Sequence, residues 1–139
     1  MALFECKKKS AENPFDVFKN KTYITTGLSV MQSRVTILDG GYCVEDGICY
    51  FKIKLRANTN LGKVYALTGL QRPQSADPIY YGVLLSSDEL ENVKTMDSDK
   101  FGGGGYIYRD GGGANALSIS YMASGDEKWV YGIYPTYAT

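Results

Sequence analysis

The clearest pattern in the chain is the alternation over residues 48–56. Cys49, Phe51, Ile53 and Leu55 fall on one face, and Tyr50, Lys52, Lys54 and Arg56 on the other. A period of two with one apolar and one charged face predicts a strand with one side buried and one side wet. Glu45-Asp46-Gly47 precedes it, and Tyr42-Cys43-Val44 lies before that. Asp-Gly between two apolar runs predicts a hairpin. Shorter runs surround this pair. Tyr23-Ile24-Thr25-Thr26 is β-rich and stops at Gly27. Arg34-Val35-Thr36-Ile37-Leu38 alternates until Asp39-Gly40-Gly41, and Lys63-Val64-Tyr65-Ala66-Leu67 closes at Gly69. Residues 79–85, Ile-Tyr-Tyr-Gly-Val-Leu-Leu, form a near-continuous apolar run and predict a strand covered on both sides.

The last third is punctuated by glycine. Gly102-Gly103-Gly104-Gly105 leads into Tyr106-Ile107-Tyr108, Gly111-Gly112-Gly113 follows, and apolar runs cover 116–122 and 129–134. Short segments rich in Tyr and Ile, separated by turn residues, predict an all-β chain of about eight short strands. The expected form is an antiparallel β-sandwich or jelly-roll-like barrel. Residues 1–20 read as an N-terminal arm carrying Lys7-Lys8-Lys9 and the Asn13-Pro14 turn signal, with Phe15, Val17 and Phe18 as anchors. Residues 21–139 read as the β domain. Within it, ahead of the glycine run, residues 86–100 are polar, and Ser87-Asp88-Glu89-Leu90 suits either one helical turn or a loop.

Composition narrows the function classes. The chain has 139 residues, enough for one domain with a real core. Lys plus Arg and Asp plus Glu are both 15, so zero net charge offers no electrostatic case for nucleic acid or an anionic membrane. Histidine is absent, which removes His-based triads, His general bases and His metal ligands. The first residues lack a long apolar stretch, so no signal peptide is expected, and no run reaches transmembrane length. A soluble protein made in a cytoplasm is the expectation.

Candidate chemistry is sparse. The glycine run at 102–105 opens a strand-like segment and lacks the Gly-Lys-Ser/Thr and helix of a phosphate loop, so it reads as a turn. Asp97-Ser98-Asp99 lacks the remaining ligands of a calcium loop. Cys43 and Cys49 flank the hairpin turn. A three-residue loop would oppose them for a cross-strand disulfide, but two thiols, with Cys49 in the core, is the preferred reading. No cofactor or metal is expected. Paired carboxylates for glycan hydrolysis are available only among Asp88, Glu89, Glu91, Asp97 and Asp99, in one polar stretch that reads first as a solvated loop. Twelve tyrosines are many for this length. Tyr80, Tyr81, Tyr106, Tyr108, Trp129, Tyr131 and Tyr134 form the candidate ligand-binding set, since amphipathic rings suit both sugars and subunit contacts. For any single ring, β propensity is the ordinary explanation.

The order of elements in the second half carries a resemblance. Leu67-Thr68-Gly69-Leu70 is followed by Arg72-Pro73, then Ile79-Tyr80-Tyr81-Gly82-Val83. Next come Gly105-Tyr106-Ile107-Tyr108 with Asp110-Gly111, and a closing Val130-Tyr131-Gly132-Ile133-Tyr134-Pro135-Thr136. This resembles the C-terminal head domains of tailed-phage tail fibres and baseplate receptor-binding proteins, over roughly residues 35–139. The proline that such heads carry before the Arg-Pro pair is replaced here by the Thr68-Gly69-Leu70-Gln71 stretch, and the arm of 20 residues stands in place of a fibrous stem. The resemblance implies a small virion or prophage protein, homo-oligomeric and trimeric for preference, that binds a host-surface glycan or other tail proteins. It implies no catalytic residues. A structural tail or capsid decoration protein and a carboxylate-based glycan hydrolase are the alternatives.

Overall fold

The computed structural model of the protein describes residues 13–71, 73, 79–93, 103–109 and 115–136. Among these residues eight strands form: β1 (Ser29–Val30), β2 (Val35–Glu45), β3 (Ile48–Ala57), β4 (Leu61–Thr68), β5 (Ile79–Ser86), β6 (Gly103–Arg109), β7 (Asn115–Met122) and β8 (Glu127–Pro135). Every neighbouring pair is antiparallel, in the order β1-β4-β7-β6-β5-β8-β3-β2. The all-β expectation holds, with the strands joined in one continuous sheet. Its two outermost strands, β1 and β2, are consecutive in sequence. The residues between them bridge the seam: Met31 N–H donates to the Ala66 carbonyl (2.9 Å), and the Arg34 carbonyl accepts from Asn58 N–H (2.9 Å). The Arg34 guanidinium also donates to the Tyr65 carbonyl at 2.7 Å. The sheet is therefore curled into a nearly closed barrel, which leaves little free edge.

The best-defined strand is the one that the alternation marks. In β3 buried and half-buried residues alternate without a break, and Cys49, Phe51, Ile53 and Leu55 are fully buried. They meet Leu67 of β4, Leu85 of β5, Ile107 of β6, Leu117 and Ile119 of β7 and Val130 of β8 inside the barrel. Each fully buried Leu, Ile or Phe contributes about 1.5–3 kcal/mol. The β2–β3 hairpin closes on Asp46 and Gly47, both at positive φ (51° and 75°), the geometry of a two-residue turn. Val44 then faces Cys49 and Cys43 faces Tyr50. The two cysteines are not opposed, and both are free thiols.

Several local expectations are corrected. Asp39-Gly40-Gly41 does not end a strand; β2 runs through it by a bulge between Ile37 and Asp39. Gly40 sits at φ 78°, where an added Cβ would lie 2.0 Å from the Lys52 carbonyl oxygen, so the bend depends on glycine. Residues 23–26 form no strand. Ile24 makes one bridge to Tyr42, and a turn closed by Leu28 N–H on the Thr25 carbonyl leads the chain away. β5 is covered on its inner side but on its outer side only at one end: Val83 and Leu85 point inward and are buried, whereas on the outer face Ser86 is buried and Leu84 is exposed. The glycine run enters β6, where an added Cβ at Gly105 would lie 2.1 Å from the Ser118 carbonyl oxygen of β7. The lysine run of the arm, Arg72, Asp97, Asp99, Asp110 and the glycines at 111–113 lie outside the described residues.

Candidate functional site

A second, smaller apolar cluster lies on the outside of the barrel. In β8 the inner positions include Val130 and Tyr134, so Trp129 and Tyr131 point outward. Tyr131 stands between Lys52 of β3 and Leu84 of β5, and Trp129 between Lys54 and Ser86. Left bare, these rings would be wet. Two 3-10 turns cover them: one from the arm (Pro14–Phe18) and one after β5 (Leu90–Asn92). Phe18 packs edge-on to Tyr131 with ring centroids 5.0 Å apart, and Phe15 does so at 5.3 Å. Asn13 fastens the two turns together. Its Oδ1 accepts from Phe15 N–H (2.9 Å), and its Nδ2 donates to the carbonyls of Leu90 (2.6 Å) and Val93 (3.2 Å). Pro14 opens the arm turn where no N–H is needed. Phe18 is the buried anchor that the arm was expected to supply, while Val17 stays exposed.

Beside this cluster opens a polar cleft of about 530 Å³, bounded by the arm, the bend of β2, the middle of β3 and the second 3-10 turn. Lys52 lies at its floor. Its Nζ is 2.7 Å from Glu89 Oε1 and 2.5 Å from Glu91 Oε2. It also lies 4.7 Å from the centroid of the Trp129 ring, a cation–π distance. Glu91 is only 5% exposed, and a buried carboxylate requires such partners. Its other oxygen accepts from the Tyr131 hydroxyl at 2.5 Å, and that hydroxyl accepts from Leu90 N–H at 2.9 Å. Glu89 Oε2 accepts from the Asn92 amide at 2.6 Å. All four carboxylate oxygens of Glu89 and Glu91 thus have a partner. Tyr23 lines the cleft as well, its hydroxyl donating to the Phe18 carbonyl at 2.6 Å.

The electrostatics follow from this geometry. Burial alone would lower the Lys52 pKa, but the hydrogen bonds to Glu89 and Glu91 hold the ammonium above its ordinary value. Burial, reinforced by Glu91, raises the Tyr131 phenol far above the usual range. Burial likewise raises Tyr23. The Cys49 thiol is pushed up to about 11 by burial, and Cys43 is raised by partial burial and by Glu45. Neither cysteine sits in the electropositive setting that makes a reactive thiolate. Among the described residues no group of three acidic or thiol side chains stands close enough to hold a metal ion.

The seven expected aromatic residues do not form one surface. Tyr134 is an interior residue whose hydroxyl donates to the Gln71 carbonyl at 2.8 Å. Tyr81 leans on it, with ring centroids 5.6 Å apart. Tyr131 is buried under the two 3-10 turns. Trp129 is 7% exposed and lines the cleft. Tyr106 is half-buried on β6 opposite Ser118 and Gly82. Tyr80 and Tyr108 face each other in the β5–β6 register, and their rings lie outside the described part. Of the carboxylates considered for hydrolysis, Glu89 and Glu91 meet at Lys52, Asp88 is exposed, and Asp97 and Asp99 are not described. Sequence reasoning missed Lys52, Tyr23, Asp39 and Asn92. A lysine in mid-strand on the wet face is visible in the alternation, but its convergence on Glu89 and Glu91 depends on the strand order.

Fold and cleft together define the class: an all-β, single-sheet barrel with a partly sealed polar cleft on its outer wall. Compared with known proteins, the chain matches no family model, no curated protein and no solved structure.

Proposed function

We propose that the chain is a binding module of a phage or prophage particle, recognising a glycan on the host surface through the outer cleft. One observation carries this reading: Lys52, clamped by Glu89 and Glu91 against Trp129, at the floor of an open and mainly polar hollow. Donors and acceptors already fixed by one another lose little freedom when a ligand arrives. Aromatic rings beside them suit a sugar, which presents apolar C–H faces and hydroxyl edges. The volume lies within the range of small-ligand sites. The virion setting comes from the resemblance of residues 35–139 to tail-fibre heads.

A binding role fits the carboxylates better than hydrolysis. A glycosidase needs one carboxyl to donate a proton and another to attack or to activate water. Here both carboxylates are held by one ammonium and by Tyr131 or Asn92. Adsorption of the purified chain to host envelopes and to a glycan array tests the proposal. Retention that weakens in Asn92→Ala and Asp39→Ala variants is the expected result. Absence of retention on any host surface material would sink it, and release of reducing sugar would revive the hydrolase.

A structural role is the second reading, supported by a different feature. Leu84 and Ile133 are exposed on the outer wall, at 40% and 45%, and flank a shallow apolar groove of about 270 Å³ with Phe15 and Gly82. Such a surface suits subunit packing. Leu84→Lys with Ile133→Lys separates the two: loss of assembly with glycan binding intact assigns this face to packing alone.

A further inference from the structure

Counted with their ion-pair partners Asp16 and Glu45, the charges at the cleft are in acidic excess. Lys19, Lys21 and Lys52 stand against Asp39, Glu89 and Glu91. Each lysine is also matched already. Lys19 lies 3.1 Å from Asp16, Lys21 lies 2.6 Å from Glu45, and Lys52 is shared by Glu89 and Glu91. Lys21 is further engaged by the Tyr50 ring, 4.1 Å from its Nζ. An anionic group entering the cleft therefore meets no lysine without a counter-charge, and would have to displace a carboxylate to find one. Displacement at Lys52 would leave Glu91 buried and uncompensated, which is strongly unfavourable. Glu89 and Glu91 have every oxygen hydrogen-bonded and Asp39 Oδ1 accepts from Gly40 N–H at 2.7 Å, but the one Lys52 ammonium offsets only one of the two glutamates, so the opposition is to negative charge. What the walls offer a newcomer is the amides of Asn20 and Asn92, the Tyr23 ring and oxygen, and N–H groups on already neutralised lysines.

We infer that the cleft takes an uncharged polyhydroxylated ligand, a neutral saccharide, and excludes acidic sugars and phosphate-bearing polymers. This rests on the glycan-binding reading and narrows it. Specificity here comes from refusing negative charge as much as from accepting hydroxyls, because an anion brought beside Glu89, Glu91 and Asp39 meets like charge and no unmatched lysine.

The test uses the intact chain on a glycan array carrying neutral oligosaccharides (glucose, galactose and mannose polymers), uronic-acid and sialylated oligosaccharides, and a glycerol-phosphate polymer. The expected result is retention on neutral probes only, changing less than about twofold between about 50 and 500 mM NaCl, since screening touches only charge-dependent binding. Retention on acidic or phosphate probes, alone or beside neutral ones, overturns the inference and leaves the glycan reading standing. Such charge-driven retention would fall about tenfold or more over that salt range. Retention on no saccharide overturns both. Asp39→Lys supplies the second arm. Asp39 is exposed and its carboxylate bonds the N–H of its own neighbour Gly40, so folding is not at stake. The variant is expected to gain measurable retention on acidic probes, and no gain counts against the inference.

Discussion

Lys52→Met is the sharpest perturbation of the site. The Lys52 and Glu91 side chains are 11% and 4% exposed, so the pair is close to fully desolvated. Removing the ammonium leaves the Glu91 carboxylate buried with only the Tyr131 hydroxyl as a donor. Breaking one partner of a buried pair costs about 3–5 kcal/mol, and the remaining hydrogen bond places this case near the lower figure. At about 2 kcal/mol per molar urea, the midpoint should fall by about 1.5 M. Trp129, the single tryptophan, lies against both Lys52 and Tyr131, so its fluorescence reports the transition directly. The double variant Lys52→Met, Glu91→Gln decides the cause. The introduced amide still accepts from Tyr131 but carries no charge, so the double variant should recover most of the loss. If Lys52→Met unfolds within about 0.5 kcal/mol of the parent, or if the double variant is no more stable than the single, the pair is not the desolvated clamp described above.

Other outcomes follow from separate parts of the barrel. Gly105→Ala should cost about 2 kcal/mol or more, because its Cβ would strike the Ser118 carbonyl, whereas Gly104→Ala, with its nearest neighbour at 3.6 Å, should stay within about 0.5 kcal/mol; thermal melts of the pair separate them. Phe18→Ala should lose about 3 kcal/mol and raise the exposure of Trp129 and Tyr131 to acrylamide and solvent, as judged by quenching. Stability should fall as pH rises from 9 to about 11. The Cys49 thiol, raised from 9.0 to about 11, keeps its proton only in the folded state over that window, worth about 3 kcal/mol at most, and Cys49→Ala should flatten the slope in pH-dependent urea melts. The Lys52 clamp acts in the same direction at higher pH, being complete below 10.5 and lost only above its raised value. With Cys6 changed to Ser, a thiol reagent at neutral pH should modify Cys43 and reach Cys49 only after unfolding.

The strands whose patterns are local were legible in the sequence. β3 shows its faces residue by residue, and the Asp46-Gly47 turn names its own hairpin. The bulge in β2 was not legible. Asp39-Gly40-Gly41 has the composition of a terminator, and only the facing Lys52 carbonyl shows that the glycines let two backbones come close. The cleft was legible in fragments. The carboxylates of residues 88–91 and the wet-face lysine are all visible, but Glu91 lies 39 positions from Lys52 and meets it because β8 and β5 bring the second 3-10 turn over β3. The burial of Tyr131 was not legible for a related reason. Outward position in a strand predicts exposure only when nothing is laid on top, and the arm turn, itself anchored by Phe18, is laid on Tyr131.

The position of β8 bears on how the chain folds. Among the described residues β8 is the last strand in sequence, yet it lies between β5 and β3 and is the only element that joins the β2–β3 hairpin to the β5–β6 pair within the sheet. Until residues 127–135 take their place, β3 and β5 each keep an open edge. Local hairpins are therefore expected to form before β8 docks. The closing step joins residues some 80 positions apart, such as Phe51 and Gly132, a long loop to close before any contact rewards it. Refolding should be slow for a chain of this size, with a single late step that buries Trp129 and seals the barrel together.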